Sequence, residues 1–512
     1  MLEASRTKRT LQNSWMSLLL FLVQLFVGFF SRKVFLDYLG AEVLGLNTTL
    51  GNILSFMNLA ELGIGLAMTT ALFKPVYDDD RQTICEILSV EGLLFRRVAM
   101  VIIGMGACVM LALPFFFPNT EIGLPYVYIA FAVFLFGSIS SYLWNYRQVL
   151  ISANQKNYKL LPWMHLVRYS VIGLQIFSLI VLHWGVWGWI FMELVGNVTT
   201  VFVINAVLHR EYPWLKKSPI PAKELLPKYK HLIVITKQLF VHKIGSFVLE
   251  QTPPLIIYAF VSLTMVTYYS NYMVIVGYVT TSVHIFFASM GAAIGSLVAE
   301  GRKPHIMNVF WELQCSRVWF ASVACFGIFV FANPFISVWL GNQYILSDTT
   351  LLLICIGAFI RMSRSIIDSF RDAYQLFGDI WAPAVEATIN LSSSIVFGHL
   401  WGLNGVLIGS NLSLFIIVLL WRPFYLFHNG LKQPCIQYFA NYILHIAIIL
   451  TCAYLAIITK GQVTTGDGFS TILLTIPSFL VFVTTSFAVL WLTTSGMRRF
   501  SQRIVRILSH RI

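Results

Sequence analysis

Hydrophobic and polar positions alternate in this chain on the scale of whole helices. From Leu18 to Leu492 one apolar run follows another, each about 20–25 residues and so long enough to cross a ~30 Å hydrocarbon core at ~1.5 Å per residue. The pattern predicts an all-α integral membrane protein with about fourteen spans, at 12–36, 43–73, 94–117, 123–146, 158–182, 186–208, 240–262, 266–297, 314–339, 350–372, 379–398, 403–425, 436–459 and 469–493. Two polar stretches read instead as interfacial helices: 81–93, with apolar residues at helical spacing, and the Lys-rich 222–239.

The longest connection, His209 to His231, is rich in Lys and Pro and falls midway through the first twelve spans. It predicts two six-helix lobes, 12–208 and 240–428, joined by a linker with its interfacial helix at 209–239. Two further helices follow at 436–493, and tails at 1–11 and 494–512 complete the division. Internal similarity supports it. The turn Trp184-Gly-Val-Trp-Gly188 recurs as Trp401-Gly-Leu-Asn-Gly405, Tyr146-Arg147 as Phe370-Arg371, and Ile64-Gly65 leading to Lys74-Pro75 as Ile294-Gly295 leading to Lys303-Pro304. Six is an even number, so the lobes share one orientation and should be related by a pseudo-two-fold axis along the membrane normal, with a cavity between them.

Composition changes little in this picture: 57% of residues are hydrophobic and 11% charged, which leaves no material for a large soluble domain. Charge changes more. A net +13 would suggest nucleic acid in a soluble protein, but here the cations are sorted by side. With the N-terminus inside, Lys and Arg fall in the inner loops and the C-terminal tail. The outer turns near 38–42, 117–124, 183–187, 262–266, 341–349 and 399–404 contain none, and only Lys460 breaks the rule. This positive-inside bias places both termini in the cytoplasm and makes nucleic acid an unneeded partner. The first apolar segment lacks a small-residue cleavage site and runs into Arg32 and Lys33, so it reads as a span and not a signal peptide. Seven cysteines, with no CxxC pair and none in the outer turns, suggest neither a disulfide framework nor a metal site.

Ionisable residues inside spans are costly unless they face a cavity or a partner. Arg361, Arg364, Asp368 and Arg371 are spaced to share one helical face. An internal Arg364–Asp368 pair with a snorkelling Arg371 would be a purely structural reading, and it leaves Arg361 unexplained. Arg32, Arg168 and Arg147 are the other candidate cavity cations, whereas Arg96 and Arg97 read as interfacial anchors. The acids Glu61, Glu193, Glu250 and Glu386 could neutralise these cations, or bind a coupling proton or Na⁺. Lys243 and Glu250 share a face and could simply pair. Pro253 and Pro254 predict a bend or break in span seven, the kind of helix interruption that often borders a transporter's binding site. No Walker A loop, GxSxG or HExxH occurs, so the expectation is a non-enzyme without cofactor. Asp78, Asp79 and Asp80 read as a solvated loop capping the helix from Arg81.

The segment Ser31-Arg-Lys-Val-Phe-Leu-Asp-Tyr-Leu-Gly40, then Leu44-Gly-Leu46, then Glu61-Leu-Gly-Ile-Gly65 through Lys74-Pro75, resembles the opening of bacterial Wzx-type polysaccharide flippases. These belong to the multidrug/oligosaccharidyl-lipid/polysaccharide exporter superfamily. The resemblance is sharpest over residues 28–90 and extends over the chain as span count and repeat. It implies two lobes around a cation-lined cavity and an undecaprenyl-diphosphate-linked oligosaccharide moved from inner to outer leaflet of the bacterial cytoplasmic membrane, for O-antigen, capsule or exopolysaccharide. It also implies membrane lipid as a partner, and a polysaccharide polymerase and chain-length regulator as further ones. Of the site residues only Arg32 and Glu61 fall within the matched segment. An ion-coupled drug or cation pump of the same superfamily would want an acid-rich cavity and usually twelve spans. A membrane polymerase or ligase would want reactive groups on sizeable outer loops.

Overall fold

The computed structural model describes residues 2–230, 251–287, 303–459 and 468–509, apart from 62, 119, 121, 217, 375, 377 and 380, together with a few positions between 232 and 300; side chains are described from Leu19 onward at nearly all of these. Every regular element among them is helical. The first helix, α1 (Leu2–Met57), bends at Gly40, whose φ of 80° is left-handed territory that a side chain would strain. The second pass is then interrupted. Asn58–Glu61 form a 3-10 turn, Gly63 takes φ 102°, and helix resumes as α2 (Ile64–Tyr77).

The next helix, α3 (Arg81–Phe116), starts from Asp80, whose Oδ1 accepts a bond from the Thr83 amide at 3.0 Å. The Thr83 hydroxyl, and after it the Thr83 amide, hold the Asp80 carboxyl below its usual range. Residues 81–93, expected as a separate interfacial helix, are instead the opening turns of this 36-residue rod, since Phe95, Val98 and Ala99 continue its buried face without a break. After α4 (Leu124–Leu143) come a 3-10 turn (Tyr146–Gln148), α5 (Val149–Ala153), α6 (Asn157–Ile180), α7 (Gly185–Glu211) and the short α8 (Ala222–Leu225).

Beyond the helical residues 251–260, the chain continues with α9 (Leu263–Phe287), α10 (Lys303–Trp339), α11 (Asp348–Ser363), α12 (Ser365–Ala373) and α13 (Trp381–Ser413). Leu414–Trp421 are π-helical and lead into α14 (Arg422–Leu426), followed by π-helical Phe427–Leu431. The last elements are α15 (Ile436–Thr459), α16 (Gly468–Thr493) and α17 (Ser495–Ser509). The chain divides into two compact units, Met1–Leu255 and Ile256–Ile512.

Ten helical runs among the described residues are long and apolar enough to cross a bilayer. One of them, Trp381–Leu431, folds back on itself at Trp401 and Gly402 (φ 57°). Its limbs touch closely: Ser393 and Ser394 donate to the carbonyls of Gly409 (3.0 Å) and Val406 (3.1 Å). A side chain on Gly409 would lie 2.4 Å from the Ser394 amide nitrogen. Small residues thus bring two passes together where larger ones could not fit. The chain is an all-α, multi-pass membrane protein.

The two repeated turns share their local geometry. Gly185 and Gly402 both have φ 57°, and three residues later Gly188 and Gly405 leave no room for a Cβ, which would lie 2.6 Å from Trp184 and 1.8 Å from the Phe397 carbonyl oxygen respectively. The basic end of the chain is a further helix, α17. Met497 and Phe500 are buried against Cys315 and Leu490, and Arg503 reaches Glu312 at 2.8 Å. Gly496 permits this contact, because a Cβ there would sit 2.5 Å from the Trp311 carbonyl.

Candidate functional site

The second unit concentrates its charges where α11, α12, α13 and α14 meet. Helix α11 passes through Arg364 (φ −69°, ψ −21°) directly into α12. Arg364 Nε lies 3.2 Å from Asp368 Oδ2. The other oxygen, Asp368 Oδ1, accepts from Arg422 Nη1 at 3.0 Å, and Arg422 Nη2 donates to Glu386 Oε2 at 3.0 Å. Cation and anion alternate along this chain of four residues, drawn from three helices and the α11–α12 junction, and its charge sums to zero. Arg422 is 7% exposed and Glu386 1%. Such a buried array is stable only while every member keeps its partners. Phe310 meets Phe370 and Phe427 edge-on at 5.2 and 5.3 Å, locking α10, α12 and the π-helical turn after α14 together.

Arg317, Arg361 and Arg371 stand outside that neutral array. Arg317 on α10 is wholly buried; it donates from Nε to the Met362 carbonyl (2.8 Å), from Nη1 to the Val283 carbonyl (3.2 Å) and from Nη2 to His284 Nδ1 (3.4 Å). Its guanidinium also lies 4.5 Å from the centre of the Phe287 ring. Backbone dipoles and a ring face solvate this cation, and no carboxylate is within ion-pair distance among the described residues. Arg361 lies one turn before Arg364, half-buried, with no ion-pair partner among the described residues. Gly357 clears the space beside it: a Cβ there would be 2.7 Å from Asn411 Oδ1 and 3.9 Å from Arg361 Nη2. Arg371, three residues beyond Asp368, pairs with Asp372 at 3.5 Å.

Among the candidates of the first unit, Arg168, Arg147 and Glu61 each have a different partner. Arg168 is exposed and pairs with Glu193 at 3.2 Å, and Glu193 also accepts from Gln175 Nε2 at 3.0 Å. Arg32 is half-buried on α1, next to an exposed Lys33–Asp37 pair. Arg147 stands in the turn after α4, where its Nε donates to the Tyr146 hydroxyl at 3.2 Å. Glu61 sits in the break between α1 and α2 and interacts with the Tyr142 hydroxyl. Ser138 donates to Asn58 Oδ1 at 2.6 Å in the same region. Nearby, Glu91 is fully buried, and neither of its oxygens has a hydrogen-bond partner among the described residues.

Glu250 and Lys243 lie outside the described residues. Pro253 and Pro254 are described and helical, within 251–260; an interruption beside a candidate acid is seen instead at the 3-10 turn Asn58–Glu61 and the left-handed Gly63. Sequence reasoning missed Arg317, Arg422 and Glu91. Each is a charge within a few residues of an apolar run, and Arg317 and Arg422 lie near the ends of predicted spans, where a long cation ordinarily snorkels to the interface. Among the described residues no group of His, Cys, Asp and Glu has the makings of a metal site.

No family model matches the chain, and no curated protein matches it in sequence. Solved structures do match in fold. The lipid II flippase MurJ in an inward closed conformation aligns over 93% of this chain and 99% of its own, with a TM-score of 0.61 at 17% identity. An inward-facing multidrug resistance MATE family transporter of the MOP superfamily covers 80% of this chain and 95% of its own, with a TM-score of 0.57 at 14% identity. The Vibrio cholerae MATE transporter VcmN in its bent form covers 84% and 99%, with a TM-score of 0.51 at 13% identity. The chain therefore has the fold of that superfamily. At these identities the likeness speaks for the fold alone.

Proposed function

We propose that this protein is a lipid-linked oligosaccharide flippase that moves an undecaprenyl-diphosphate-linked substrate from the inner to the outer leaflet of a bacterial cytoplasmic membrane by alternating access. The observation that carries this reading is Arg361, a permanently charged group on a membrane helix with no counter-ion among the described residues. A diphosphate supplies the counter-charge, and a guanidinium can bind it through two parallel bonds. Arg364, one turn away, would contribute a second cation. Its tie to Asp368 tunes the local charge without cancelling Arg361. The fold shared with the lipid II flippase is compatible with a diphosphate-linked lipid. A polymerase and a chain-length regulator are the partners such a product requires. The test is reconstitution in sealed vesicles with undecaprenyl-diphosphate-linked oligosaccharide, scoring sugar accessible from outside. A rate equal to that of protein-free vesicles overturns the proposal.

The MATE relationship favours one second reading, cation-coupled export of a small molecule, and the Glu61 region is the observation in its support. We join the two in a single mechanism, with the lipid as cargo and Glu61 as the site where a proton or Na⁺ acts. Glu250 remains the alternative acid. Binding there changes the balance of charge and shifts the two access states. Glu61→Gln is expected to abolish the response of flipping to imposed H⁺ and Na⁺ gradients while leaving slow downhill flipping. If neither gradient alters the wild-type rate, ion coupling is wrong and the acids are counter-charges.

The orientation is checked separately. Reporter fusions after Lys217 and at the C-terminus are expected to report cytoplasm, and one near Asn342 the outside. A cytoplasmic signal at Asn342 would reverse the charge-derived sides.

A further inference from the structure

The first unit carries a basic cavity that the proposal built on Arg361 does not use; of the candidate cavity cations only Arg147 lines it. It measures about 220 Å³ and is walled by the opening of α3, the turn at Tyr146–Gln148 and the connection between α7 and α8. Each wall supplies one cation: Arg96, Arg147 and Lys216. No carboxylate lines the cavity, and none of the three is in an ion pair among the described residues. The acid that could have entered it, Glu86 on the same helix as Arg96, is engaged elsewhere, by Lys228 at 2.5 Å and the Tyr229 hydroxyl at 2.8 Å.

The walls are built to hold these cations in place. Gly92 admits the Tyr146 ring so closely that a Cβ would lie 2.9 Å from it. Tyr146 in turn accepts the Arg147 Nε bond and lies under its guanidinium, 5.6 Å from the ring centre. This fixes Arg147 through its Nε and its ring contact and leaves both terminal nitrogens for a ligand. Ser89 Oγ accepts from the Ser218 amide at 3.2 Å, which pins the connection bearing Lys216 to α3.

A second cavity adjoins the first and shares Leu93 and Arg96 with it. This one, about 590 Å³, runs along Ala99, Met100, Ile103 and Leu143, with Arg97 and Lys223 also at its wall. Met100 and Ile103 are 64% and 47% exposed, as befits side chains that face lipid. The two together have the plan of an amphiphile: a cationic receptacle with room for about seven waters, continuous through Arg96 with an apolar groove of ordinary ligand size.

We infer a binding site for a phosphate-bearing lipid here, with the phosphate or diphosphate among Arg96, Arg147 and Lys216 and the chain along Met100, Ile103 and Leu143. On the charge-derived orientation it opens at the inner headgroup layer, where a lipid would be held beside the protein. Arg361 is not among the site's lining residues, and its occupancy is measurable without any transport. It therefore stands or fails independently of the flippase reading.

The full chain in phosphatidylcholine nanodiscs provides the test. Dioleoyl phosphatidic acid, titrated as the phosphate-bearing probe, is expected to raise the unfolding temperature saturably, because a ligand of the folded state stabilises it. Soluble pyrophosphate is expected to bind at least tenfold more weakly. Arg96→Gln with Arg147→Gln should lower the phosphatidic acid affinity at least tenfold with no change in unliganded unfolding temperature. Leu143→Asn, which alters only the groove, should weaken phosphatidic acid and leave pyrophosphate unaffected. Pyrophosphate binding as tight as phosphatidic acid would assign a soluble anion and overturn the lipid site. Unchanged phosphatidic acid affinity in the double Gln variant, or no saturable shift in the wild type, would overturn the site altogether.

Discussion

Arg361→Ala is expected to reduce export of surface polysaccharide, and flipping in vesicles, by at least tenfold while leaving the amount of protein in the membrane unchanged. The two halves of that expectation have one source. Arg361 is bound to no carboxylate among the described residues, so its removal orphans no buried acid and should cost little stability. A charge-assisted hydrogen bond to a substrate phosphate is worth about 1.5–3 kcal/mol, or roughly 10- to 100-fold in affinity. Arg361→Lys should recover only part of the loss, because an ammonium cannot offer the planar pair of donors. Arg364→Ala should also impair transport, with a less clean readout, since it leaves Asp368 to Arg422 alone. Full export by the double Ala variant would remove both arginines from the substrate's path.

The parts of this architecture that were legible in the sequence are those set by local chemistry. Apolar run length marks a membrane helix whatever it packs against, and a Trp-Gly turn before a span is read from five residues. The shared φ of Gly185 and Gly402, with the crowded Gly188 and Gly405, shows why that five-residue pattern recurs. Asp80 capping α3 is another local feature. Partnerships across helices were not legible. Arg422 and Arg317 each lie close to a span end, where snorkelling is the usual outcome, and only the fold brings Asp368 and Glu386 to one and the Met362 carbonyl to the other. The break at Asn58–Gly63 contains no proline, so the strongest breaker signal drew attention to Pro253 and Pro254 instead. Arg96 gave the same sequence signal as Arg97, and its place between two cavities depends on Tyr146 and Lys216, both far along the chain.

Arg422→Ala should act in the opposite way from Arg361→Ala: a fall in folded protein first, and lost transport only as a consequence. Arg422 is the sole bridge between Asp368 and Glu386 among the described residues, and it is nearly inaccessible. Its removal leaves Glu386 as a buried carboxylate whose Oε2 has lost its donor, while Oε1 already has none. Breaking a buried pair by deleting one partner costs about 3–5 kcal/mol. In a large membrane protein that loss appears as faster irreversible unfolding, so the measurement is the temperature at which half the purified protein ceases to be monodisperse, together with its abundance in membranes. Both should drop. Arg422→Met combined with Glu386→Gln removes the stranded charge and leaves Arg364 and Asp368 as a balanced pair; most of the lost stability should return. If the combined variant is no better than Arg422→Ala, the damage lies in lost packing around α14 and not in an uncompensated charge. If Arg422→Ala itself melts like the wild type, the four-residue array does not hold the second unit together, and its charges are free for the cargo.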